Sequence, residues 1–192
     1  MWSHLAPAIR TTLLFTVVTG GLYPLAVTGA SRALFPARAH GSLVVRDGKV
    51  VGSALIAQNF TRPEYFHPRP SAASYDASSS TGSNLGPTNQ KLVDRVKTSL
   101  AQYRQENPDY AGPVPADALT ASASGLDPEI SPANADIQVA RVARSRRADA
   151  AAVRAIVGEY TAGRWLGFIG EPRVNVLLVN LALDERFGRV AH

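Results

Sequence analysis

An α+β protein, with one N-terminal transmembrane helix followed by a single mixed α/β soluble domain, is what this sequence predicts, on three observations. Between Thr11 and Ser31 no residue carries a charge, and Arg10 and Arg32 bracket the run. Behind it, aliphatic and β-branched segments are punctuated by glycine- and proline-rich turns. Three later stretches carry apolar residues at helical spacing between caps and stops. The resulting division is a short tail over 1–10, a transmembrane helix over 11–34 and the soluble domain over 35–192.

The uncharged run is long enough to cross a hydrocarbon core of roughly 30 Å at about 1.5 Å per residue. Gly20, Gly21 and Pro24 would weaken a soluble helix, but membrane helices tolerate them. Its small residues would let a partner helix approach closely. The rival is a signal peptide cleaved at "TGA", 28–30. The apolar run exceeds the usual signal core of roughly 7–15 residues. Charge leaves the orientation open. Arg10 lies on the short side and Arg32, Arg38, Arg46 and Lys49 on the long side, but long domains translocate largely regardless of charge.

"GSLVVRDGKVVGSALIAQNF" predicts a hairpin, Leu43–Val45 with Val50–Ile56, turned by Asp47-Gly48. From Thr61 to Pro87 the chain is irregular, with Pro63, Pro68, Pro70 and Pro87 and the polar run "SYDASSSTGSNLGPTN". Tyr65, Phe66 and Tyr75 would anchor it. A helix is expected from Thr88, as cap, to Glu106, with Leu92, Val96, Leu100 and Tyr103 on one face and Asn107-Pro108 as the stop. A second begins at Ser131-Pro132 and places Ile137, Ala140, Arg141 and Arg144 on one side. A third is capped by Asp149, presents Val153, Ile156, Val157 and Tyr160, and stops at Gly163. "RVNVLLVNLAL", 173–183, alternates and reads as a strand, with a helix as the alternative.

Composition narrows the function. The chain of 192 residues has a net charge of +5 and no cysteine, so disulfides and thiolate metal sites are excluded. Its basic residues form no dense stripe interleaved with aromatics, which argues against nucleic acid. GxSxG, P-loop, GxGxxG and HExxH motifs are absent. His4, His40, His67 and His192 show no metal-ligand spacing. His67 could partner Ser71 as base and nucleophile, though a loop histidine with a local bond is the plainer reading. "TASASGLDPEISP", 120–132, crowds small hydroxyl groups beside a glycine and two carboxylates. Asp127 and Glu129 could form a pair for acid–base work. Alternatively Asp127-Pro128 builds a turn and Glu129 sits by a helix N-terminus. "TGSNLGPTN", 81–89, could hold an anion on backbone amides or simply build turns. "ARVARSRR", 140–147, could face acidic lipid or be a solvated helix end.

Three stretches together resemble a known family. "YFHPRPSAASYD" with "TGSNLGPTN", "VPADALTASASGLDPEISPANADIQVARVA" and "GEPRVNVLLVNLAL" are similar, in order, to the C subunit of the Kdp potassium-transporting ATPase. The N-terminal helix and "GSALIAQNF" fit as well. The resemblance implies a single-pass protein of the bacterial inner membrane with its domain on the periplasmic or extracellular side. It implies three protein partners: a channel-like potassium-translocating subunit, a P-type ATP-hydrolysing subunit and a small stabilising subunit. Membrane lipid surrounds the helix. The chain lacks "DKTGT" and so is not the phosphorylated subunit. The expected role is non-catalytic: assembly and activity, as a catalytic chaperone that promotes ATP use, or as a cover over the potassium entrance.

No firmly bound cofactor and no metal is expected, and ATP enters only through the complex. Ser83, Asn84, Asn89, Gln138 and Arg141 are the expected nucleotide or partner contacts. Arg69, Ser71, Ser122, Ser124, Gly125 and Asp127 form the expected partner-docking loop. If Gly125 takes positive φ, a β-branched residue there would destabilise the domain. The rival functions are a cytoplasmic nucleotide-binding regulator and a secreted serine hydrolase using a serine of 120–124 with His67.

Overall fold

The structure, a computed structural model, describes residues 2–190, and of Trp2 the backbone alone. His192 and the end of the expected frayed tail lie outside the described residues. Two compact units divide the chain, residues 1–51 and 52–192.

The first unit opens with α1 (Trp2–Val17), one π turn (Val18–Leu22) and α2 (Tyr23–Leu34). Helix therefore also covers residues 2–10, where a tail was expected. Ser3–Leu34, 32 residues, is long and apolar enough to cross a membrane, and none of its apolar window is buried within the protein. The π turn contains Gly20 and Gly21 and lies just before Pro24. Proline has no N–H and its ring crowds the carbonyl four residues back, here Gly20, and the wider turn relieves that crowding. The Thr16 and Thr19 hydroxyls donate to the Thr12 and Phe15 carbonyls, so neither is left unpaired in an apolar setting. A short α3 (Pro36–Ala39) leads to the hairpin β1 (Leu43–Arg46) and β2 (Lys49–Ser53). Asp47 and Gly48 take φ of 51° and 73°, the mirror-image turn that matches strand twist. The second strand ends at Ser53, not Ile56, because the chain turns there and the Ile56 amide donates back to the Ser53 carbonyl.

The second unit contains α4 (Gln90–Glu106), α5 (Ala116–Leu119), β3 (Glu129–Ile130), α6 (Pro132–Arg146), α7 (Ala150–Glu159), β4 (Thr161–Ala162), β5 (Arg173–Asn175) and α8 (Val176–Phe187). The sheet is antiparallel in the order β3-β5-β4, with Ile130 opposite Val174 and Val174 opposite Thr161. Its core joins Phe66, Ile130 and Val174 to Val139 and Val142 of α6, Val153 and Ile156 of α7, and Val179 and Leu183 of α8. Residues 61–87 carry neither helix nor strand, as expected.

Three further local expectations need correction. Helix α7 ends at Glu159 rather than at Gly163, because Thr161–Ala162 join the sheet as β4. Asn89, not Thr88, caps α4, its side chain accepting from the Lys91 amide. Over 173–183 only Arg173–Asn175 is strand, and the rest is α8. Asn175 accepts from the Leu178 amide and starts the helix. The buried residues Val176, Val179, Asn180, Leu183 and Asp184 then recur at helical spacing. The alternation of Val174, Asn175 and Val176 at the start of the run suggested a strand throughout.

Candidate functional site

Helix α6 has two stripes at i, i+4, i+7. Ala135, Val139 and Val142 enter the apolar core. Asn134, Gln138 and Arg141 form a polar stripe that is nevertheless buried, because the irregular segment 63–67 covers Gln138 and Arg141 and Tyr103 and Asp117 close over Asn134. Gln138 is 1% exposed. Its Oε1 accepts from the His67 amide and from Arg141 Nη2, both at 2.7 Å. Its Nε2 donates to the His67 carbonyl and to Asn134 Oδ1. Arg141 donates to the Pro63 and Tyr65 carbonyls at 2.7 and 2.9 Å and to Asn107 Oδ1. Asn180 of α8 pairs with both backbone groups of Phe66. Arg146 donates to the Glu64 carbonyl and to Asp184, and its guanidinium lies 5.0 Å from the Tyr65 ring centre. The backbone of 63–67 thus finds on two helices the partners that a sheet would normally supply. Burial, partly offset by nearby Glu106, lowers the Arg141 pKa to about 10, so it stays charged at neutral pH.

The second constellation is a clasp between two irregular segments. From residues 69–81, Arg69 Nη1 donates to Asp127 at 2.9 Å and Ser71 Oγ donates to the Gly125 carbonyl at 2.6 Å. Ser71 Oγ in turn accepts from the Ala73 and Tyr75 amides. The Thr81 amide donates to the Ser124 carbonyl, and the Ser122 amide to the Pro70 carbonyl. Asp127 Oδ1 accepts from the Glu129 amide, and Ser124 Oγ from the Leu126 amide. Gly125 has φ +68°, and a β-carbon there would lie 2.7 Å from both Ala73 Cβ and the Thr81 carbonyl. Gly82 faces it from the other segment, where a β-carbon would meet the Ala123 carbonyl at 2.9 Å. Glycine lets the backbones approach this closely at both points.

A shallow depression of about 540 Å³ opens over the clasp. Leu55, Ile56, Arg69, Ala123, Leu126 and Asp127 are among its lining residues. Arg69 Nε is the one buried side-chain polar atom among the described residues without a hydrogen-bond partner. A separate cleft of about 410 Å³ is lined by Thr61, His67, Gln102, Tyr103, Glu106 and Gln138, among others. His67 Nδ1 faces Glu106 at 3.2 Å and its Nε2 faces the Arg62 carbonyl. The bond from His67 holds the Glu106 carboxyl below its ordinary pKa, and burial raises that of Tyr103.

The structure therefore brings together Arg69, Ser71, Ser122, Ser124, Gly125 and Asp127. It keeps Gln138 and Arg141 apart from them, as supports of segment 63–67. Ser83 is half-buried, Asn84 is exposed at φ +52°, and Asn89 is occupied as a cap. His67 pairs with Glu106 and Ser71 with Gly125, so these two do not meet as base and nucleophile. Asp127 and Glu129 have separate partners, Arg69 and Arg173, and Glu129 lies in β3. Within "ARVARSRR", Arg141 and Arg146 point inward. Residue spacing alone did not identify Arg146, Asn180 and Asp184 as an internal polar group. Its signal was present as two polar residues four apart in the otherwise apolar "VNLALD".

Comparison with known proteins gives a consistent result. The model of a family described as "K+-transporting ATPase, c chain" matches residues 5–185. A protein of Caulobacter sp. (strain K31) named "Potassium-transporting ATPase KdpC subunit" is 58% identical over 190 residues, 97% of this chain and 96% of its own. A protein of the same name from Myxococcus xanthus is 57% identical over 98% of this chain and 90% of its own. One from Rhodospirillum rubrum is 56% identical over 97% and 98%.

Proposed function

The chain belongs to the KdpC family, the c chain of the K+-transporting ATPase, and on that premise we propose that it is a non-catalytic, single-pass accessory subunit that docks through its clasp. The partners are the channel-like and ATP-hydrolysing membrane subunits of the complex, together with the small stabilising one. The domain lies on the periplasmic side, where it covers the potassium entrance. Its influence on ATP use is then indirect, through contacts that differ between states of the pump.

One observation carries this reading: the unpartnered Arg69 Nε in the depression over the clasp. A buried donor without an acceptor is costly, and a partner carbonyl would satisfy it once the Arg69 side chain turns toward the depression. Direct nucleotide contact through Gln138 has less support, because both ends of that amide already bond to the protein.

Ala123→Arg tests the docking. Ala123 is exposed on the depression, and its side chain takes no part in the clasp bonds. The variant should fold normally but lose co-purification with the other subunits and their potassium-stimulated ATP hydrolysis. Retention of both would sink the proposal. Ser79→Cys tests the side of the membrane, since position 79 is exposed and the chain has no other cysteine. Labelling of intact spheroplasts by an impermeant thiol reagent is expected. Protection until lysis would put the domain in the cytoplasm and make direct help to the ATP-hydrolysing subunit the leading mechanism.

A further inference from the structure

Between β4 and β5 the chain makes an excursion, "GRWLGFIGE", in which residues 163–171 are all exposed. Trp165 and Leu166 are 66% exposed, Phe168 72% and Ile169 44%. Exposed apolar side chains clustered this densely mark a contact site. They have not simply failed to pack, because the loop is a built turn. Trp165 and Ile169 exchange backbone bonds at 2.8 and 2.9 Å, and the Gly167 and Phe168 amides donate to the Arg164 and Trp165 carbonyls. Leu166 and Gly167 hold φ of 51° and 83°, a costly conformation for leucine that fixes the tip.

We propose that this tip inserts into the apolar margin of the lipid bilayer that holds the chain's own N-terminal helix. Three observations select lipid. Four of the five amides from Trp165 to Ile169, all but that of Leu166, are already bonded within the turn, which lowers the cost of entering a medium without water. The side chains combine one tryptophan with leucine, phenylalanine and isoleucine, the composition of an interfacial anchor. The span belongs to the same chain. Only residues 35–51, folded as α3 and the hairpin, separate it from the domain in sequence, so the tether supplies a high effective concentration of bilayer surface. Charge at the neck is balanced, Arg164 by Glu171 at 2.7 Å and Arg173 by Glu129 at 2.9 Å. Insertion is therefore apolar and indifferent to anionic headgroups. The inference depends on the membrane helix and not on the clasp, and it holds for either side of the membrane.

The chain has two tryptophans, so Trp2→Phe leaves Trp165 as the only one. The full-length variant is placed, without other subunits, in nanodiscs of zwitterionic lipid with or without brominated acyl chains. Bromine should lower Trp165 emission about two-fold, as expected for an indole at the acyl boundary. The quenching should persist in high salt and in anionic lipid. Adding Leu166→Asp and Phe168→Asp should abolish it, with the circular dichroism of the domain unchanged. Emission from a water-exposed indole that bromine does not touch would overturn the proposal. So would shielding that arises only when the other subunits are added, which would assign the tip to a protein groove.

Discussion

Segment 63–67 and loop 163–171 are both irregular, and their chemistry is reversed. The first is held by glutamine, asparagine and arginine side chains, with Glu64 and Phe66 buried. The second carries tryptophan, leucine, phenylalanine and isoleucine and is exposed. Polarity by itself therefore does not mark the surface of this protein, nor apolarity the core. What separates the regions is where their backbone bonds go. Segment 63–67 has one local turn bond, from the Tyr65 amide to the Arg62 carbonyl, so helices α6 and α8 supply most of its partners with side chains. Loop 163–171 closes four backbone bonds of its own, so its side chains need not be buried to hold it.

The comparison breaks most directly at Gln138. Gln138→Leu would leave both backbone groups of His67 and the Nη2 of Arg141 short of a partner in a buried place. The expected loss is about 3 kcal/mol of unfolding free energy, since each such group costs roughly 1–3 kcal/mol. Chemical denaturation measures it. If Gln138 served only a ligand, stability would not change and the polar stripe would lose its assigned role.

Much of this contrast could not be read from residue spacing. Helices α4, α6 and α7 announced themselves through caps and apolar periodicity, because those signals are local. The clasp was half legible. "TASASGLDPEISP" pointed to a shape-holding turn in which a positive φ at Gly125 was the open condition, and the structure has φ +68° there. What spacing could not supply was the facing segment, since Ser71 meets Gly125 across 54 residues. The buried polar stripe stayed hidden for the same reason: Asn134, Gln138 and Arg141 look like a solvated face until Tyr103, Asp117 and segment 63–67 close over them. In α8 the period-2 pattern of "VNVLLVN" masked the helix that Asn175 starts.

Gly125 sharpens the comparison at the clasp. Gly125→Val would force a β-branched residue to positive φ and into Ala73 and the Thr81 carbonyl. A cost of about 2 kcal/mol is expected, seen as a lower melting temperature. An unchanged melting temperature would mean that the two segments can separate without penalty and that the clasp is not rigid.

Glu106 tests how far the polar cleft contributes. Its pKa is depressed, chiefly by the bond from His67. A carboxyl depressed in the folded state adds stability above its unfolded value of about 4.3 and loses it as pH falls through the folded value. Acid unfolding of the wild type should therefore show a component below roughly pH 4.3 that is missing in Glu106→Gln. Because the side chain is 32% exposed, solvent screening holds the difference below about 1 kcal/mol. Identical acid profiles would show that the His67–Glu106 contact does not stabilise the fold.

The smallest expected effect is the most informative about the loop. Leu166→Ser with Phe168→Ser removes two large apolar side chains, a change that in the core would cost several kcal/mol. Here neither side chain is buried, and the turn is closed by backbone bonds that serine leaves in place. The change in unfolding free energy should stay within about 0.5 kcal/mol, while bromine quenching of Trp165 falls. A large loss of stability would mean that the apolar side chains hold the domain together, and the division between a self-bonded loop and a side-chain-supported segment would fail. An unaltered stability with lost lipid contact would fit residues whose contribution lies in binding, outside the fold.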